Sequence, residues 1–351
     1  MKAVKYGSDG LYLDRNAPIP EFEHDHSVII RVKAVGICGT DFDIKKGEFP
    51  VVDGVILGHE ISGAVHKIAS GVTDFKQGQR VAINGTRGCT NCYFCNVNKS
   101  MFCSKGGASK YYGVVRNGGF AEYMVVDDAD LCAIPDDLSF QKASMSEPMS
   151  SLLHILDVAP IDDKEQSKVL IIGGGIAGLN ILNYLNFIGV KNITLIQRSA
   201  HRRKLIADMK FKNVTVVSDT DLHSEYLQNS GNPGWGFDNV IDCSGNTEAI
   251  ANGIKYLRPA GKLALYGLPS KDVSINMNIY DLMVLEKCIT GALYQVNNFK
   301  EGVDVLIELS RAGRLDFDNY GVKDYTLDDY EKAFNDLTDR KIIKAFILPS
   351  T

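Results

Sequence analysis

Apolar and polar positions follow one pattern in the first part of the chain and another in the middle. Up to about residue 35 the chain reads as β. Residues 28–35 have a β-branched core with alternation at the end, which predicts a strand. Residues 61–68 and 79–83 read as further strands, with Gly71, Asp74 and Gly78 turning the chain between them, and 118–126 as a strand introduced by Gly118 and Gly119. Residues 139–159 have helical periodicity, interrupted at Pro148. From Lys168 onward strands (169–172, 193–196, 214–217, 239–242, 262–265) alternate with helices (176–188, 201–209, 247–256). Many short strands predict a β-rich, barrel-like first domain, and the β-α-β order predicts a parallel sheet after it, so the fold class is α/β. The tail adds an amphipathic helix at 300–311 and a last strand at 345–348.

Composition changes this picture little. A length of 351 residues predicts about two domains, with 45% apolar and 23% charged residues as in ordinary globular proteins. A net charge of −5 supplies no basic field for nucleic acid or anionic lipid. The opening Met1-Lys2-Ala3-Val4-Lys5 runs into a polar turn rather than a signal peptide, and the most apolar run, 176–190, is broken by three asparagines. A cytoplasmic protein without membrane or nucleic-acid partners is expected.

Candidate chemistry begins at Cys38-Gly39-Thr40-Asp41, followed eighteen residues after Asp41 by His59-Glu60. A thiolate, an imidazole and a carboxylate form a mixed set that zinc accepts, and a catalytic zinc keeps a position open for water or substrate. The alternative is a buried structural cysteine and a satisfied core histidine. Four of the eight cysteines, Cys89, Cys92, Cys95 and Cys103, are spaced to close an all-thiolate structural zinc shell on a loop at about 85–105. An iron–sulfur cluster is the alternative there. Cys132, Cys243 and Cys288 read as packed core thiols.

Gly173-Gly174-Gly175-Ile176-Ala177-Gly178 fits G-x-G-x-x-G between a predicted strand and a predicted helix, the context of a dinucleotide loop. Gly173 permits the tight turn, Gly175 the approach of a pyrophosphate, and Gly178 close packing of the helix on the sheet. Where NAD enzymes place an acidic residue, this chain has Gln197-Arg198-Ser199, followed by His201, Arg202 and Arg203. Arg198 could pair with a 2′-phosphate and Ser199 could donate to it, so NADP(H) is expected to be preferred, with NAD(H) also accepted. A solvated helix start is the alternative.

These motifs in this order, with Gly58-His59-Glu60, residues 118–123 and Glu147-Pro148, resemble the zinc-containing medium-chain dehydrogenases, in particular their polyol branch. The resemblance implies a GroES-like catalytic domain (1–155 and 290–351), an inserted Rossmann cofactor domain (156–289), and a homodimer or homotetramer. It implies catalytic zinc on Cys38 and His59, with Glu60, Glu147 or a water held by Glu147 completing the shell. A carboxylate-containing shell also admits Mn²⁺. Thr40 would take the hydroxyl proton and Asp41 would orient His59. Two departures bear on substrate: Asp43 replaces a relay histidine and Tyr294 replaces an arginine. Both departures turn the expectation away from sorbitol itself, while a polar pocket edged by Glu147, Tyr294, Gln295 and Asn297 suits a polyol or ketose, or its phosphate, for which Lys45 and Lys46 could supply charge. The expected activity is transfer of hydride between NADP(H) and a secondary hydroxyl of such a substrate. The alternatives are a simpler secondary alcohol, a vicinal diol or threonine as substrate, and a non-catalytic NADPH-binding protein of the same fold.

Overall fold

The computed structural model describes every residue except Ser230, Pro233, 294–297, Asn319 and Thr351. The chain forms two compact units, one of Met1–Ser150 with Tyr294–Thr351, the other of Ser151–Leu293.

In the first unit the strands are β1 (Ala3–Gly7), β2 (Gly10–Asp14), β3 (Ser27–Gly36), β4 (Glu60–Ile68), β5 (Arg80–Ile83), β6 (Tyr123–Asp127), β7 (Leu131–Ala133), β14 (Val322–Tyr325) and β15 (Lys344–Ile347). Seven of them make one sheet in the order β14-β15-β3-β4-β5-β7, with β6 also paired to β3. Strand β3 is buried along most of its length because it has neighbours on both edges. Its apolar side chains pack with Ile61, Ile83, Phe120 and Phe334 in one core. Register matters for the site: Gly36 of β3 lies opposite Glu60 of β4 on one side and Phe346 of β15 on the other. Helices α1 (Gly39–Lys45), α2 (Tyr93–Asn96) and α3 (Phe140–Ser144), with α10 (Phe299–Arg311) and α11 (Tyr330–Thr338), complete this part of the chain, and α4 (Ser146–Val158) begins in it and runs on past Ser150 into the second unit.

The second unit holds β8 (Lys168–Ile172), β9 (Asn192–Ile196), β10 (Val214–Val217), β11 (Phe237–Asp242), β12 (Leu257–Leu265) and β13 (Cys288–Gly291). They form a parallel sheet in the order β10-β9-β8-β11-β12-β13. Counted within the unit this is 3-2-1-4-5-6, the doubly wound order that binds dinucleotides where the strand order reverses, beside β8 and β11. Its helices are α5 (Ile176–Phe187), α6 (Ala200–Asp208), α7 (Asp219–Asn229), α8 (Thr247–Tyr256) and α9 (Ile279–Val284).

Several expectations need correction. The strand expected at 118–126 begins only at Tyr123. Gly118, Gly119 and Phe120 instead hydrogen-bond along 56–58, and a Cβ on Gly118 would overlap the Gly58 carbonyl. Pro148 does not interrupt a helix; it lies in the first turn of α4, where its missing N–H costs nothing. The break falls at Met145, the C-cap of α3. Cys288 is exposed on β13, and Cys132 and Cys243 are only half-buried. The expected strand 262–265 is the end of the longer β12, whose pairing with β11 is irregular. Helices α7, α9 and α11 and strands β13 and β14 were outside the expected elements; α9, β13 and β14 are short and α7 is weakly periodic, whereas α11 is amphipathic and was overlooked.

Candidate active site and cofactor loop

Helix α1 starts on its own ligand. Cys38 is the N-cap, and its backbone N–H donates to Asp41 Oδ2 at 2.8 Å. This turns Asp41 inward, where it is fully buried. His59 arrives on the segment before β4, after Gly58 at φ +87°, a left-handed turn that only glycine adopts readily. A Cβ at Gly58 would strike the Phe120 ring, so the same glycine lets that ring pack behind the loop. Donor atoms of Cys38, His59 and Glu60 then lie within 4.8 Å of one another. Bonds of about 2.0–2.3 Å to a common zinc place tetrahedral ligands roughly 3.3–3.8 Å apart, so a small inward movement closes the shell.

The electrostatics fit a cation. Burial opposes protonation of His59, but the Cys38 thiolate, Asp41 and Glu147 outweigh it and push the ring up to about 10. Burial also raises Asp41 and Glu147. His59 Nδ1 and Asp41 Oδ1 face each other at 3.9 Å, beyond hydrogen-bond reach, and both are buried without a hydrogen-bond partner. Closing that gap makes Nδ1 the donor and leaves Nε2 for a metal.

Each carboxylate has its own companion. Glu147, on the first turn of α4, accepts from the Tyr111 hydroxyl at 2.6 Å through Oε1. The Tyr111 ring lies 5.5 Å from that of His59. Glu60 Oε2 pairs with the buried Lys344 at 2.5 Å. Thr40 Oγ1 is 3.9 Å from Cys38 Sγ. Asp43 is not gathered in: it is half-buried, 3.9 Å from Lys46, which also faces Glu48. Lys45 lies over the Phe334 ring. Tyr294, Gln295 and Asn297 lie outside the described residues. Sequence reasoning missed Tyr111 and Lys344. Only Lys344 carried a signal, a single charge in the apolar run 342–348.

Cys89, Cys92, Cys95 and Cys103 offer sulfurs that all lie within 4.8 Å of one another. Thr90 at φ 64° and Asn98 at φ 56° bend the loop inward. The Cys89 N–H donates to Cys103 Sγ at 3.4 Å, and this bond holds the Cys103 thiol down at about 6. A set of thiols, one already favouring its anion, suits a closed zinc shell.

In the second unit Gly173, at φ +108°, ends β8. Gly175 caps α5, and a Cβ there would meet nothing within 4 Å, so the helix N-terminus stands open. A Cβ on Gly178 would overlap the Gly173 carbonyl. Ile176 and Ala177 form the first turn of α5. Beyond β9, the Gln197 side chain accepts from the Ser199 N–H, and Ser199 Oγ caps α6 by accepting from the Arg202 N–H at 3.4 Å. The guanidinium holding this turn is Arg203, which donates to the carbonyls of Gln197 and Arg198 at 2.8 and 2.6 Å. Arg198 lies close enough to Asp219 to stabilise its carboxylate. After β11, Asp242 accepts from the N–H groups of Ser244 and Gly245, both at 3.0 Å, in a turn beside Gly173 that was also missed.

A thiolate–imidazole–carboxylate cluster in a GroES-like unit and a glycine loop at the switch point of a doubly wound sheet define a zinc-dependent dehydrogenase. Family models agree: "Alcohol dehydrogenase GroES-like domain" matches residues 24–136 and "Zinc-binding dehydrogenase" matches 177–308. D-arabinitol dehydrogenase 1 of Uromyces fabae is 28% identical, over 100% of this chain and 97% of its own. A protein named Probable D-xylulose reductase A of Aspergillus clavatus is 30% identical, over 94% of this chain and 91% of its own. A zinc-binding dehydrogenase of Sinorhizobium meliloti, solved bound to NADP, superposes with a TM-score of 0.87 at 26% identity, covering 99% of each chain. The chain belongs to the zinc-containing medium-chain dehydrogenase/reductase family, on its polyol dehydrogenase branch. It is an oxidoreductase that uses a nicotinamide cofactor, and no helix among its described residues is long and apolar enough to cross a membrane.

Proposed function

We propose that the protein interconverts a secondary hydroxyl of a polyol with the corresponding ketose, using NADP(H) in preference to NAD(H). The observation that carries this is the convergence of Cys38, His59 and Glu60 on one ion-sized volume, with Glu147 as a further buried carboxylate. The names of the arabinitol and xylulose relatives supply the substrate class.

Zinc bound there would act as a Lewis acid on the substrate hydroxyl, and the nicotinamide would exchange the hydride. Cys38, His59 and one carboxylate would hold the ion, and Asp41 would fix the His59 tautomer. Thr40 would take the hydroxyl proton, and Asp43 would lie farther out along that path. Glu147, steadied by Tyr111, would orient water or a substrate hydroxyl. Gly173, Gly175, Ile176, Ala177 and Gly178 would hold the pyrophosphate. Arg198 and Ser199 would hold the 2′-phosphate, with Gln197 and the Arg202 N–H shaping the turn. Lys46 faces Asp43 and Glu48 and Lys45 covers Phe334, which favours the unphosphorylated polyol over its phosphate. The four cysteines would hold a structural zinc. Edge strand β13 would join two copies into a homodimer.

Reduction of pentuloses and hexuloses, their phosphates and acetoin is to be assayed with NADPH and NADH, beside oxidation of threonine. Ketose reduction with the higher kcat/KM for NADPH is expected, with two zinc ions per chain. Preference for NADH would remove the cofactor assignment. Turnover of acetoin or threonine without any ketose would remove the polyol assignment.

A further inference from the structure

Lys344 is 1% exposed, and its ammonium has two acceptors, Glu60 Oε2 at 2.5 Å and the Ile37 carbonyl at 2.9 Å. A cation this deep is costly unless its partner is held in place, and three adjacent strands do the holding. Glu60 comes from β4 and Lys344 from β15, and between them lies Gly36 of β3, opposite Glu60 on one side and opposite Phe346, two residues on from Lys344, on the other. A Cβ on Gly36 would overlap Glu60 Oε2 and come within 2.9 Å of Lys344 Cε, so a glycine there leaves the slot through which the two side chains meet. Glu147, the other carboxylate of the site, has the uncharged Tyr111 as its hydrogen-bond donor.

We propose that Lys344 is a positioning residue that occupies Oε2, so that Glu60 presents one oxygen only to the metal, with its charge cancelled. This rests on the reading of Cys38, His59 and Glu60 as a metal shell. A carboxylate with both oxygens free can bind in bidentate fashion and fill the open position on which substrate access depends. An uncompensated carboxylate also makes the ion less electrophilic. Lys344 prevents both.

The test uses the full-length, metal-loaded protein with cobalt in place of zinc at the Cys38 site. Lys344→Met frees Oε2, so the intense visible bands of four-coordinate cobalt should weaken toward those of a five-coordinate ion. Extraction of the metal by a chelator should slow several-fold, because a positive charge beside the dication is gone. Lys344→Arg should return both readouts toward wild type. If Lys344→Met does not fold, Lys344→Gln keeps a donor for Oε2 without the charge; extraction should slow while the spectrum is retained. Unchanged spectra and extraction rates in the neutral variants would overturn the inference, as would faster extraction. Cys38→Ser separates the two levels. If that variant still holds two metals per chain, the reading of the site itself fails. If it loses one while the lysine variants match wild type, only the role of Lys344 falls.

Discussion

Burial alone would strip the proton from His59, yet the thiolate and carboxylates around it hold the ring up to about 10. The acidic groups around His59 favour positive charge at this place, as a bound dication would supply. Asp41 is the residue through which this is tuned. Asp41→Asn can keep the acceptor for the Cys38 N–H but presents an amide N–H to His59 Nδ1, which favours the tautomer that cannot use Nε2 as a ligand. Metal affinity is expected to fall about 10–100-fold, as for other residues that orient a ligand, and titration of the apo-protein with zinc against a competing chelator measures it. At the cofactor end, Arg198→Ala should raise KM for NADPH about tenfold and leave NADH nearly unchanged, the ~1.5 kcal/mol of a charge-assisted hydrogen bond. Equal effects on both cofactors would mean that Arg198 only supports the turn. Cys38, His59, Glu60 and the glycines were legible as residues because their chemistry is unusual at any position. Tyr111 was not, since a tyrosine in a polar loop has no distinguishing pattern. Cys288 misled because apolar neighbours in sequence do not bury an edge strand.

Elements tie the four-cysteine loop to the sheet through one buried acid. Asp130, just before β7, accepts from the Tyr112 hydroxyl at 3.0 Å and from Arg87 Nε at 3.3 Å, and Arg87 leads into Cys89. Burial, with Asp127 adding to it, pushes Asp130 up to about 6 from an ordinary 3.8. The folded state therefore holds this proton more tightly than the unfolded one between those values. Stability from this group falls as pH rises through that window and is level above it. Asp130→Asn lacks the dependence. Its Tm relative to wild type should rise from pH 4 to pH 7, by the equivalent of up to roughly 3 kcal/mol for a two-unit shift, less the lost pairing with Arg87. A Tm difference that stays constant with pH would show that Asp130 titrates normally. Element identity was readable where periodicity was strong, as in α8 and α10, and at α5, where an apolar run follows the glycine loop. It failed at 118–126, where glycines serve close passage beside 56–58 rather than entry to a strand.

At the scale of the whole molecule, β13 pairs only with β12 among the described residues, which leaves it at an edge of the sheet. Next to it in sequence, Ile279, Tyr280, Met283 and Val284 of α9 are half or more exposed, from 50% to 70%. An edge strand and a row of exposed apolar side chains invite pairing with a second copy, and a stable interface needs about 800 Å² from each partner. Light scattering after gel filtration should give at least a dimer, and Met283→Asp should move it toward monomer. An unshifted mass in the variant would place the contact elsewhere.

The order of local patterns was enough to determine a β-rich unit and a parallel αβ unit, and to single out two thiol-containing candidate metal sites and a candidate dinucleotide loop. Each depends on spacing within a few residues or on side-chain chemistry that spacing does not alter. Tertiary structure decided which groups stand beside the ligands. Glu60 meets Lys344, 284 residues away, and Glu147 meets Tyr111, 36 residues away. Those pairings follow from strand register across β4, β3 and β15 and from the packing of α4, and no short-range pattern encodes either.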